Sequence, residues 1–161
     1  MRSVISRGFV MFAGLLALSA STHTEPVKVR QATQKDPRLQ RLRQFFLERN
    51  CPIKDLAEDF IVAADNNDLD WRLLPSLAIV ESGGGKACMN NNIFGWGSCK
   101  RRFASVRHGI HYVAYALGNS VLYRGKTVPE ILKTYNPRPI YRDRVQSMMA
   151  SLGPELLLDS H

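Results

Sequence analysis

Glu81 ends an apolar run, Leu73-Leu74-Pro75-Ser76-Leu77-Ala78-Ile79-Val80, and Ser82-Gly83-Gly84-Gly85 follows it. The run reads as a helix that the glycines must stop, which sets Glu81 at a helix C-terminus. The carbonyl end of a helix disfavours negative charge, and apolar neighbours disfavour the ionised carboxylate. Both effects raise the pKa and leave the acid protonated near neutral pH. A general acid for glycosidic cleavage needs that state, because it must give a proton to the departing oxygen. A surface glutamate at a frayed helix end would show the same spacing.

Behind Glu81 comes Asn90-Asn91-Asn92-Ile93-Phe94-Gly95-Trp96-Gly97. Amides beside aromatic rings suit a sugar, whose hydroxyl and acetamido groups need donors and acceptors and whose apolar faces need flat cover. Ser82, Asn91, Asn92, Phe94 and Trp96 are therefore candidate substrate contacts. A glycine-rich turn with a buried Phe and Trp is the competing reading.

A second carboxylate is harder to find. No Asp or Glu lies between Glu81 and Glu130, and every charge in that stretch is Lys or Arg. Glu130 follows Thr127-Val128-Pro129 and is expected as the third helical residue of a capping box. Asp65, Asp68 and Asp70 could approach from upstream, but turns and caps account for them. Asp143 stands between Arg142 and Arg144 as a solvated helix residue. His108 and His111 are three apart on a helix, with no carboxylate or cysteine near in sequence, so no metal is assigned. There is no H-E-x-x-H for a zinc peptidase and no G-x-S-x-G around Ser82. Cys51 has no evident His partner. No cofactor is implied. Lys100-Arg101-Arg102 either meets carboxylates of a ligand or keeps its loop soluble.

The chain start reads as an address. Arg2 and Arg7 precede the apolar run Gly8 to Leu18, and small residues follow through Ser21, the pattern of a secretory signal peptide over 1–21. The run is too short for a membrane span, which needs about 20 residues. Cleavage after Ser19, Ala20 or Ser21 would leave no stable membrane insertion and a secreted or periplasmic product. An uncleaved anchor is the alternative. The formal charge of +8 falls to +6 without Arg2 and Arg7. Such a charge asks for an anionic partner, and export argues against nucleic acid. Export also permits disulfides. Cys88 and Cys99 bracket a short loop and are expected to pair, with Cys51 left over or competing.

The remaining pattern is helical. Residues 22–37 read as a polar linker and 38–159 as one domain. Leu39, Leu42 and Phe46 mark a first helix; Leu56, Phe60, Ala63 and Ala64 mark a second, which Asp65-Asn66-Asn67-Asp68 ends. Asp70 can cap the Glu81 helix. Phe103, Val106, Ile110, Val113, Leu117 and Val121 form the strongest apolar stripe. Thr127 opens another helix through Tyr135, and Tyr141, Val145, Met148 and Leu152 mark the last, closed by Gly153-Pro154. The fold expected is mainly α, with a disulfide-pinned loop or a short β-hairpin between Asn92 and Phe103.

Four segments in order resemble the lysozyme-like superfamily, specifically bacterial glucosaminidase domains that cut peptidoglycan. They are Leu74 to Ser82, Asn91-Asn92-Ile93-Phe94-Gly95, Phe103 to Tyr115, and the pair Gly125 to Leu132 and Tyr135 to Val145, within a likeness over about residues 55–152. The resemblance implies a small helical domain with a groove between two lobes and Glu81 as the acid. It adds Tyr135 and Tyr141 as groove residues and peptidoglycan as the partner. The implied activity is an endo-β-N-acetylglucosaminidase; a lytic transglycosylase and a non-catalytic wall-binding module are its rivals. The chain departs from the pattern where several relatives carry a second carboxylate downstream of the acid, a position with no acid here.

Overall fold

The computed structural model describes residues 36–155. The expected signal peptide, 1–21, lies outside the described residues, as does most of the linker assigned to 22–37. Asp36 and Pro37 belong to the domain rather than to that linker. Pro37 opens α1 (Pro37–Glu48), and the Asp36 carboxylate caps it by accepting from the Arg38 amide at 2.8 Å. Arg38 is buried and also bonds Asp65 at 2.8 Å, which ties the start of α1 to the end of α2 (Ala57–Asp65). Between them, Asn50 turns left-handed and a 3₁₀ turn runs Pro52–Leu56.

α3 (Leu73–Ser82) is the central element. Leu73, Leu74, Pro75, Ser76, Leu77 and Ala78 are all buried, so the helix is enclosed on nearly every side along its first two turns. Asp70 accepts from the Arg72 amide at 2.9 Å, and Gly83 ends the helix with φ of 62°. The left-handed stop is one that glycine adopts without steric cost.

α3 packs along α6 (Pro139–Leu152), and two bonds fix the pair as antiparallel. Arg72 Nη1 donates to the Gly153 carbonyl at 2.9 Å at one end. At the other, the Tyr141 hydroxyl donates to Glu81 Oε1 at 2.6 Å. α4 (Val106–Asn119) packs along α2, and α5 (Val128–Tyr135) packs on α6. Thr127 and Glu130 form the expected capping box, with the Thr127 amide donating to Glu130 Oε2 at 2.8 Å. The described chain is mainly helical, and no helix in it is long and apolar enough to cross a membrane.

Three expectations are corrected. The apolar stripe overruns its helix: Phe103 precedes the Ser105 cap, and Val121 lies beyond the end of α4 at 93% exposure. No β-hairpin forms among the described residues, only an isolated bridge between Met89 and Asn92. Cys88 and Cys99 are not bonded, and all three cysteines are free thiols. Burial raises the pKa of the Cys88 thiol, while the nearby backbone amides of Asn92 and Asn91 pull it down. Cys99 sits in a left-handed turn with φ of 63° and is exposed. Cys51 is buried beneath Gly84, where a β-carbon would fall 2.5 Å from its sulfur.

An amide pins the loop in place of a disulfide. Asn92 is buried; its Nδ2 donates to the carbonyls of Trp96 at 2.9 Å and Arg101 at 3.0 Å. Its Oδ1 accepts from the Trp96 amide at 2.9 Å. Asn91 Nδ2 donates to the Phe103 carbonyl at 3.0 Å, and Asn90 and Asn91 take left-handed backbone, which Asn tolerates better than most residues.

Candidate active site

Glu81 stands in the last turn of α3, at the wall of a cavity of about 520 Å³. Loop 95–99, Leu122, Tyr123, Tyr135 and Asn136 form the remaining walls. The first turn of α6 supplies Tyr141, whose hydroxyl holds Glu81 Oε1. Oε2 points toward Gly95: a β-carbon there would lie 2.9 Å from it and 3.5 Å from the Cys99 sulfur. Gly95 has φ of 61°, so the turn needs glycine for its backbone as well as for the room it leaves the carboxyl.

The walls are aromatic. Trp96 packs 5.7 Å from Tyr135, 6.0 Å from Tyr123 and 6.4 Å from Tyr112, centroid to centroid. Tyr135 stacks on Tyr141 at 6.0 Å with the rings 8° from parallel. The Tyr135 hydroxyl donates to the Phe94 carbonyl, which locks the end of α5 onto the loop. Partial burial among these groups pushes the Glu81 carboxyl above its ordinary value, while the Tyr141 bond pulls the other way. Burial, and then proximity to Glu81, raise the hydroxyls of Tyr135 and Tyr141, so both stay neutral donors. A protonated carboxyl held at one oxygen and open at the other can deliver a proton into the cavity.

Of the expected contacts, Glu81, Trp96 and Tyr135 come together at the cavity. Tyr141 stands behind Glu81 and touches the acid rather than the open space. Ser82, Asn92 and Phe94 are supports, against expectation. The Ser82 hydroxyl bonds the Ala78 carbonyl and accepts from the Gly85 amide; Phe94 is fully buried against Phe60. Asn92 spends its amide on the loop, and Asn91 reaches back to Phe103, away from Glu81. Sequence reasoning missed Tyr123, Leu122, Asn136 and Cys99. Asn136 was legible only as part of the break after α5. The spacing of Cys99 from Cys88 reads as a bridge, and Tyr123 lies in a turn with no periodic signal.

Glu81 is the one carboxylate lining this cavity among the described residues. Of the upstream acids, Asp68 lies in a left-handed turn with φ of 53° and does not line the cavity, and the other two are engaged elsewhere. Asp65 pairs with Arg38, and Asp70 pairs with Arg72. Glu130 caps α5, which with Thr127 lowers its carboxyl pKa. Asp143 is exposed and lines a separate depression with Ile79, Val80 and Ile140. His111 Nε2 lies 3.5 Å from Asp59 Oδ1, which also accepts from Arg107 at 2.7 Å. Among the described residues no group of three or more His, Cys, Asp or Glu could hold a metal.

Comparison with protein-family models, curated proteins and solved structures finds no match in any of the three.

Proposed function

We propose that this chain is an exported glycosidase that cleaves β-1,4 bonds of peptidoglycan strands as an endo-β-N-acetylglucosaminidase, with Glu81 as the general acid. The observation that carries the reading is the Glu81 carboxyl itself. One oxygen is held by Tyr141, the other is open, the pKa is raised, and the cavity in front is walled by Trp96, Tyr123 and Tyr135. A partly desolvated acid beside aromatic faces fits proton donation to a glycosidic oxygen.

On this reading Glu81 gives its proton to the leaving oxygen as the C1–O bond breaks. The usual second carboxylate, about 5–9 Å from the acid, is missing from the lining. The substrate's own acetamido oxygen then closes on C1. Water opens that ring, adding its hydroxyl to C1 and returning a proton to Glu81. The same lack of a second carboxylate favours one alternative, lytic transglycosylation. There the 6-hydroxyl of the muramic residue attacks C1 and gives its proton to Glu81, leaving an anhydro end.

Digestion of purified sacculi by residues 22–161, with mass spectrometry of the fragments, tests these readings. Reducing N-acetylglucosamine ends support the glucosaminidase, and anhydromuramic ends support the transglycosylase. Binding without fragments would make the domain a wall-binding module. Glu81→Gln is expected to abolish fragment release while the circular dichroism spectrum stays unchanged. A variant that keeps most of the activity would remove Glu81 from the chemistry.

A further inference from the structure

We propose that Arg101 is the docking point for a carboxylate of the glycan substrate at the rim of the Glu81 cavity; this rests on the glycan reading above. Gly97 lines the cavity, and a β-carbon built on it would meet the Arg101 β-carbon at 3.6 Å. The Arg101 stem therefore runs beside the cavity wall. Its guanidinium carbon lies 4.2 Å from the Tyr112 ring centroid and 5.9 Å from that of Phe103. Tyr112 packs edge-on to Trp96, which lines the cavity. The Arg101 carbonyl accepts from Asn92, so backbone and head group are both fixed.

The charge is held in place and left unneutralised. Arg38, Arg72 and Arg107 each pair with an aspartate, whereas no carboxylate among the described residues lies within 4.0 Å of Arg101. The absence of Asp and Glu from 82–129 explains why no local partner exists. A guanidinium held over a ring still has N–H groups to offer, and the guanidinium fork matches a carboxylate with two parallel hydrogen bonds. Lys100 and Arg102 are exposed like Arg101 but lie over no ring, and that contact singles out Arg101 from the basic run. Peptidoglycan offers carboxylates on its stem peptides and, where these are removed, on lactyl groups. A neutral N-acetylglucosamine polymer offers none. Arg101 thus selects acid-bearing strands for the cavity.

The test measures affinity by calorimetry on the Glu81→Gln protein, which leaves the strands intact. Three soluble glycan preparations are compared: peptide-bearing strands, strands stripped of peptides by an amidase, and strands with all carboxyls chemically amidated. Arg101→Ala is expected to weaken binding about fivefold to at least one carboxylate-bearing preparation, as for an exposed but well-oriented ion pair, and the affected preparation identifies the carboxylate. Binding to amidated strands should not change, and the loss should shrink as salt rises to about 0.3 M. Arg101→Met, which keeps an apolar stem against Tyr112, should lose the same affinity, and it replaces Arg101→Ala if that variant is unstable. Equal losses on amidated and native strands, or no loss on either native form, would overturn the proposal. Should Arg101-dependent binding persist where the wild type releases no fragments, the glycosidase reading fails and this contact stands.

Discussion

Replacing Gly95 by alanine probes Glu81 without touching its chemistry. The added methyl would sit 2.9 Å from Glu81 Oε2, nearer than packed carbon and oxygen normally approach. Oε1 cannot yield freely, because Tyr141 holds it at 2.6 Å. The carboxyl must therefore swing by several tenths of an ångström and loosen that bond. Misplacement by about 1 Å can cost on the order of a hundredfold in rate, so about tenfold is expected here. The left-handed backbone adds roughly 1–2 kcal/mol of destabilisation for a side chain at this position. For a domain of this size that is a fall in Tm of about 4–8 °C. Gly97 supplies the control. It lines the same cavity with φ of 63°, yet a β-carbon there meets only Arg101, at 3.6 Å or more. Gly97→Ala should lose comparable stability and keep most of the rate at saturating substrate. The assay is fragment release from sacculi below both melting points, beside thermal unfolding of each variant. Equal rate losses in the two variants, or full activity in Gly95→Ala, would refute the idea that room beside Oε2 matters.

Other expectations follow from the same contacts. Activity requires protonated Glu81, whose pKa burial raises, so the rate should fall as pH rises through that value. Tyr141→Phe removes the bond that opposes this rise, and its basic limb should move to higher pH in a rate–pH profile; a shift to lower pH would contradict the assignment. The raised folded value also means that the stability Glu81 contributes is full below its unfolded pKa and is lost as pH climbs through the folded one. Glu81→Gln does not titrate, so its Tm should decline less than the wild type's across that window. Asn92→Ala should cost about 2–3 kcal/mol, since it leaves the Trp96 amide and two carbonyls without their partner, and chemical denaturation measures it. With the thiols free, the denatured chain should titrate three of them without reductant, and a reductant should not lower the native Tm.

The sequence made the helices legible because their signals are local and periodic. Leu39, Leu42 and Phe46 repeat on one face, Thr127 and Glu130 write a capping box, and Gly83 stops α3, each a property of a few neighbouring residues. Glu81 was readable for the same reason, as a carboxylate at the end of an apolar helix. The loop from 83 to 105 was not, since its shape rests on side chain to backbone bonds with no period. Asn92 illustrates the difficulty. An amide behind an acid suits a sugar, yet here both ends of that amide are consumed by Trp96 and Arg101. Phe94 likewise has the chemistry of a sugar platform but faces the core. The cysteine spacing suggested a bridge, whereas the tight turns through Gly95 and Gly97 aim Cys99 into the cavity.

The antiparallel pair of α3 and α6 joins stability to chemistry. Its bond at one end, Arg72 to Gly153, is structural, and its bond at the other, Tyr141 to Glu81, holds the acid. Any slip of α6 along α3 by one turn, about 5.4 Å, would break both together. The acid is thus registered by the same packing that buries Leu73, Leu74 and Leu77, and not by the loop in front of it. That division of labour suits a site with a single carboxylate. A second catalytic group on the loop would demand equal precision from turns held by scattered bonds of Asn91, Asn92 and Tyr135 to the backbone. With the nucleophile drawn from the substrate, the loop has only to supply Trp96, the room at Gly95, and the charge of Arg101. The acid-free stretch after Glu81 is then consistent with the mechanism, because a carboxylate placed there would compete for Arg101 and repel an acidic strand.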